Sequence, residues 1–170
     1  MKNINLCIPK EKELDFAKNL LKDPATMAYN KGYDLDFPGY NKETGTINLD
    51  DTYLEKWYDL YFTNPGEYFY AYIYDQDLKV FVGDVNFHPS KLNAHARDIG
   101  IVIKDEFRGQ EYGKLGLKLL IKKAFSFDSI RVLHNDFEKE RAAALKIHID
   151  LGFNIIHESD GILYLELENK

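Results

Sequence analysis

Residues 108–114 read Arg-Gly-Gln-Glu-Tyr-Gly-Lys, with two glycines set between two cations. They follow an apolar run and precede a helical pattern. That order suits the capture of a phosphate-like anion. The head of a helix carries free backbone N–H groups and a partial positive charge. Gly109 and Gly113 let the backbone bend and approach a bulky group closely. Arg108 and Lys114 add cationic donors. The spacing is not that of a Walker loop, because no Gly-Lys-Ser/Thr follows. Nor is it a dinucleotide fingerprint, since no acidic residue closes a second strand at the expected distance. An ordinary strand–turn–helix with no ligand is the other reading of this stretch.

The flanking elements must position that turn. Ile99, Ile101 and Ile103 alternate and Val102 is also apolar, which predicts a strand covered on both faces. From Lys114 onward, Leu115, Leu119, Leu120 and Ala124 fall at helical spacing. Gly116 inside that helix costs about 1 kcal/mol against alanine and suggests either close packing on a strand or simply tolerated drift. Upstream, residues 3–8 read as a strand and 11–21 as a helix stopped at Asp23-Pro24. Residues 29–48 form a long irregular loop bearing Tyr29, Tyr33, Phe37 and Tyr40. These rings either line a pocket or pin the loop to the core. Asp50 or Asp51 caps a helix with Leu54, Trp57, Tyr58 and Tyr61 on one stripe. Residues 67–74 and 80–87 predict a hairpin around residues 75–77. His88 and His95 read as loop histidines, not metal ligands. Residues 129–133 predict a short strand with a polar exit at 134–137. A helix over 140–151 ends at Gly152. Strands over 153–157 and 162–167 are joined by Asp160-Gly161.

Composition bounds the class. The chain has 170 residues, 45% hydrophobic and 29% charged, which fits one domain over 1–170 with a sizeable core. A net charge of −6 argues against nucleic acid and is compatible with a cationic substrate such as an amine. No apolar run is long enough for a membrane span, and no secretory signal is evident, so a cytoplasmic protein is expected. Cys7 is the single cysteine, which excludes an internal disulfide and a cysteine metal cluster. It reads as a small buried hydrophobe. No metal is expected.

Residues 108–113 resemble the acyl-CoA pyrophosphate loop, Gln/Arg-x-x-Gly-x-Gly/Ala, of the GNAT superfamily of N-acetyltransferases. Glu111 stands where the middle glycine is usual, and Gly113 matches the last. Residues 141–153 resemble that superfamily's second signature, Asn-x-x-Ala-x-x-x-Tyr-x-x-x-Gly-Phe. Ala144, Gly152 and Phe153 match; Arg141 replaces the asparagine and His148 the tyrosine. The two signatures occur in the right order, and the resemblance covers residues 67–168.

The resemblance implies a mixed α/β (α+β) GNAT fold, a mostly antiparallel sheet of six to seven strands flanked by about four helices. It implies acetyl-CoA as acyl donor. Ile101, Val102 and Ile103 would meet the pantetheine arm through their backbone. Arg108, Gly109, Gln110, Glu111, Tyr112, Gly113 and Lys114 would hold the pyrophosphate. Asn135 and Arg141 lie where family members contact the rest of the cofactor, although Arg141 has Glu138 as an alternative partner. His148 stands where the family's tyrosine protonates the leaving thiolate. Asp98 and Asp136 are two candidates for a general base. A free Asp, with a pKa of about 3.9, needs burial to serve that role. The expected activity is direct acetyl transfer to a primary amine of a small molecule or peptide. The alternative is a non-catalytic acyl-CoA-binding or regulatory domain of the same fold. The terminal hairpin offers an edge for a homodimer.

Overall fold

The computed structural model describes residues 2–169, so residues 1 and 170 of the expected domain lie outside the described residues. Seven strands form its frame: β1 (Ile4–Cys7), β2 (Phe69–Asp75), β3 (Val80–Pro89), β4 (Ala96–Ile103), β5 (Val132–Glu138), β6 (Asn154–Ser159) and β7 (Ile162–Glu168). They make one sheet in the order β1-β2-β3-β4-β5-β7-β6. Every pairing is antiparallel except β4 with β5. Five helices flank it: α1 (Asp15–Lys22), the single turn α2 (Pro24–Met27), α3 (Asp51–Thr63), α4 (Tyr112–Ala124) and α5 (Ala142–Asp150). The expected architecture is met, with one helix more. No helix among the described residues is long and apolar enough to cross a membrane.

The parallel pair is short. β4 and β5 are in register only from Ala96 opposite Val132 to Asp98 opposite His134. Each then follows its own antiparallel neighbour. β4 stays on β3, ending with Ile103 opposite Gly83. β5 stays on β7, ending with Glu138 opposite Ile162. The strands therefore splay, and residues 99–103 have no strand on their β5 side. A strand edge of this kind presents unpaired N–H and C=O groups.

The two faces of the sheet bury different chemistry. On one, α4 packs against β1, β3 and β4 over Ile73, Val85, Phe87, Ile99, Leu117, Leu120 and Leu133. A Cβ on Gly116 would stand 2.5 Å from Ile73 Cδ1 and 3.3 Å from Ile101 Cδ1, so the helix sits as close as its glycine allows. On the other face, α1 and α3 cover Tyr70 and Tyr72 with Phe16, Trp57, Tyr61 and Phe62. Asp50 caps α3, its carboxylate accepting from the Tyr53 N–H at 2.7 Å. The start of β4 is anchored by Arg97, a buried cation that donates to the carbonyls of Gly66, Ala94 and Ala96 and to Glu67.

Several local expectations need correction. The helix expected over 11–21 is broken into a 3-10 turn, Glu11–Glu13, and then α1. The Glu13 carboxylate accepts from the Lys10 N–H at 2.8 Å and tightens that first turn. His88 lies on β3 opposite Asp98, not in a loop, because β4 extends the ladder to Pro89. His95 does lie in the β3–β4 connection. Asn135 and Asp136 belong to β5, not to a polar exit, because β7 pairs along the whole strand. Cys7 is only half-buried.

Gly83 sets how closely β3 and β4 join, since a Cβ there would stand 2.1 Å from the Val102 carbonyl oxygen. Gly83→Ala must push backbone apart, with no flexible side chain to yield. A loss of about 1–3 kcal/mol or more is expected, read as a lower urea midpoint.

Candidate active site

Where β4 and β5 part, α4 and α5 wall a cavity of about 760 Å³. Ile101, Val102 and Ile103 line it from the strand. Arg108, Gly109, Glu111, Gly113 and Lys114 line it from the turn and helix head, Arg141 from the N-cap of α5 and His148 from within it. Tyr29 enters from the N-terminal segment. Gln110, Tyr112 and Asn135 do not line it.

The head of α4 supplies backbone donors. Its first internal bond runs from the Leu115 N–H to the Glu111 carbonyl at 3.1 Å. The N–H groups of Tyr112, Gly113 and Lys114 precede it and have no partner within the helix. Glu111 is the N-cap, in the left-handed region with φ 70° and ψ −6°, and its side chain makes no capping bond. That side chain is exposed, so the carboxylate does not fill the helix head. Gly109 also has a positive φ, 71°.

The side chains of this turn are mostly engaged elsewhere. The Arg108 guanidinium donates to the carbonyls of Ile103 (3.1 Å), Ala25 (3.5 Å) and Thr26. It ties α2 to the end of β4. The Tyr112 ring is fully buried; its hydroxyl donates to Asp75 at 2.6 Å and accepts from Lys2 at 3.0 Å. Only its backbone serves the turn. Gln110 donates to the Glu106 carbonyl at 2.9 Å, and Lys114 pairs with Asp150 at 2.8 Å. Arg141, the N-cap of α5, pairs at 2.5 Å with Glu138 at the end of β5, the alternative partner that the sequence offered. Its guanidinium also sits 4.8 Å from the Tyr29 ring, with Arg108 at 5.9 Å.

His148 is 2% exposed, between the rings of Phe137 and Phe153. Its Nδ1 lies 2.8 Å from the Ala144 carbonyl and therefore carries the hydrogen. Its Nε2 lies 2.9 Å from the Asn135 amide nitrogen and therefore accepts. Burial holds its pKa below the ordinary value, against the opposing pull of the Ala144 carbonyl. A neutral imidazole bonded at both nitrogens has no free proton to give. The arrangement does not serve the expected acid role of His148, nor the expected cofactor contact of Asn135. Together they brace α5 against β5.

A second cavity, about 410 Å³, lies on the other face of the sheet under α3. Phe37, Tyr53, Trp57, Tyr61, Tyr68 and Tyr70 line it. Asp84, Asn86 and His88 enter it from β3 and Val102 from β4. Val102 thus lines both cavities. Of the loop aromatics, Phe37 lines this cavity and Tyr29 the other, whereas Tyr33 and Tyr40 line neither.

Asp84 is 4% exposed. Burial pushes its pKa up to about 7, although bonds from the Tyr70 hydroxyl, at 2.6 Å, and the Val102 N–H work in the other direction. The two carboxylates expected as bases are placed differently. For Asp98, burial raises the pKa, but bonds from His134 and Ser90 outweigh it and hold the group below the ordinary carboxylate value. His134 Nδ1 stands 2.9 Å from it and is raised in return. Asp136 is exposed and lines neither cavity. Sequence reasoning missed Asp84. A signal was present: Asp84, Asn86 and His88 alternate with Val85 and Phe87, which puts three polar side chains on one strand face.

A non-glycine residue in the left-handed region carries about 1–2 kcal/mol of strain. Glu111→Gly relieves it at the expense of unfolded-chain entropy. A net gain of about 0.5–1 kcal/mol is expected, read as a raised urea midpoint with an unchanged slope.

Comparisons with known proteins bear on the fold and the family. A family model described as an acetyltransferase (GNAT) domain matches residues 6–154. No curated protein sequence matches the chain significantly. Among similar solved structures is a GNAT-family acetyltransferase from Streptococcus pneumoniae, 16% identical with a TM-score of 0.74, covering 98% of this chain and 100% of that one. Another is the Vibrio cholerae spermidine N-acetyltransferase in complex with CoA and spermine, 14% identical with a TM-score of 0.73, covering 97% and 95%. The Campylobacter jejuni N-acetyltransferase PseH in complex with acetyl coenzyme A is 19% identical with a TM-score of 0.57, covering 70% and 77%. These likenesses show a shared fold. The family model, spanning most of the 170 residues, decides the rest: the chain belongs to the GNAT acetyltransferase-domain family.

Proposed function

We propose that the chain transfers an acetyl group directly from acetyl-CoA to a primary amine of a small molecule or peptide. One observation carries the reading. Asp84, a buried carboxylate with a pKa of about 7, lines an aromatic cavity that shares Val102 with the cleft at the α4 head.

The cleft suits a CoA ester. The free N–H groups of Tyr112, Gly113 and Lys114 offer donors to a diphosphate. The unpaired edge of β4 over residues 99–103 offers its backbone to a pantetheine arm, as an added strand would use it. The structures of family members crystallised with acetyl coenzyme A and with CoA and spermine support both the donor and an amine acceptor. The donor supplies an acyl carbon activated by a thiolate leaving group. The amine attacks in its neutral form; as the N–C bond forms and the C–S bond breaks, one proton passes from nitrogen to Asp84 and the thiolate departs.

Magnitudes favour Asp84 over the other carboxylates. Its pKa of about 7 stands well above the ordinary carboxylate value of about 3.9, which makes it a stronger base by about 4 kcal/mol. Asp98 is shifted the other way. For the thiolate no protein acid is required, because a thiol of pKa about 8.5 leaves readily near neutral pH.

In the wild type, kcat/KM should rise with pH as Asp84 ionises through about 7. Asp84→Asn should remove that limb and cost about 10²–10⁴ in kcat, while acetyl-CoA binding by isothermal titration stays the same. No binding at millimolar acetyl-CoA would refute the reading. Binding without turnover of any amine would favour the non-catalytic domain.

The same variant has a stability signature. The folded state holds the Asp84 proton up to about pH 7, whereas the unfolded chain releases it near pH 4. This group therefore destabilises the fold as pH rises from about 4 to 7. Asp84→Asn should be the more stable protein at pH 8, by up to about 4 kcal/mol, and should lose that advantage at pH 4. Thermal scans at the two pH values test it.

A further inference from the structure

The lining of the second cavity discriminates among amines. Among the described residues it contains one carboxylate, Asp84, and no lysine or arginine. Asn86, His88 and the tyrosine hydroxyls are its other polar groups. The rest is ring and aliphatic surface. Trp57 meets Tyr70 edge-on at 4.7 Å and lies tilted against Tyr61 at 4.9 Å, and Tyr61 meets Tyr68 edge-on at 5.0 Å.

Each candidate acceptor can be weighed against that lining. A polyamine brings two or more ammonium groups, and a single carboxylate neutralises one. The next would sit against rings, whose attraction returns less than the hydration an ammonium gives up. An amino acid or a peptide C-terminus brings a carboxylate, and no cation in the lining meets it. A compact apolar body gives up nothing comparable. It gains by burial and by edge-on ring contacts.

We propose that the acceptor is a primary monoamine with a bulky apolar body, of the arylalkylamine kind. Its nitrogen lies at Asp84 and its body among Trp57, Tyr61, Tyr68 and Tyr70. This rests on the acetyl-transfer reading for its chemistry, but its binding can be tested separately.

Trp57 is the only tryptophan of the chain, so selective tryptophan excitation reports occupancy of this cavity. The probes are phenethylamine, cyclohexylethylamine, spermidine and a short lysine peptide, at pH 8. Phenethylamine and cyclohexylethylamine should perturb Trp57 saturably, with Kd at least about tenfold below that of spermidine, about 1.4 kcal/mol. The preference in kcat/KM should follow. Leu60, 43% exposed in the lining, tolerates a charge. Leu60→Glu adds a second carboxylate and should narrow the ratio toward spermidine by about tenfold. Tighter binding of spermidine or the peptide to the wild type would overturn the proposal and leave acetyl transfer standing. An unchanged Trp57 signal with every amine would also overturn it. Saturable binding of the two apolar amines without acetylation would uphold the cavity assignment and remove the transfer reading instead.

Discussion

The structure depends on where one strand pairing stops. β4 and β5 run in parallel for three residue pairs and then separate, because each is held along its length by a different antiparallel neighbour. Unpaired backbone groups away from water are costly. The separation therefore leaves β4 with an unmet demand for hydrogen bonds over residues 99–103. The same gap places the head of α4, with its own unpaired N–H groups, at the end of that strand. A strand edge and a helix head, both short of partners, open into one cavity of about 760 Å³. A ligand with an amide-bearing arm and a diphosphate meets both demands at once.

The alternation of side chains along β4 and β3 then assigns chemistry to each face. Ile101 and Ile103 turn toward α4, against Gly116 and Gly113. Asp84, Asn86 and His88 turn toward α3, into the aromatic cavity. Only Val102 belongs to both cavities. A single strand thickness separates the two spaces, so reactants held on either side can meet without either leaving its site.

The chain departs from the signatures of its family at three places, and each departure has a local answer. Glu111 accepts a left-handed backbone and turns its carboxylate to solvent. Arg141 is neutralised by Glu138 and stacked on Tyr29. His148 fills the tyrosine's place as a neutral, doubly bonded ring. The last exchange converts a position expected to move a proton into one that holds two elements together. On the opposite face of the sheet, burial raises the pKa of Asp84.

The sequence by itself determined the elements whose cause is local. The alternation of isoleucines before the turn, the glycines at 109 and 113, and the helical period after 114 describe strand, bend and helix head. The two signatures likewise point to the family, whereas the order of the strands in the sheet came from the structure. Tertiary structure alone decided what the side chains do. Arg108, Tyr112 and Asn135 read as ligand contacts, yet their partners, Thr26, Asp75 and His148, lie far along the chain. Asp84 lay unremarked within the strand expected over 80–87. Its raised pKa comes from burial beneath α3, against the bonds from Tyr70 and Val102 that pull the other way. A backbone conformation answers to neighbours a few residues away. A pKa answers to every group that excludes water, wherever the chain has placed it.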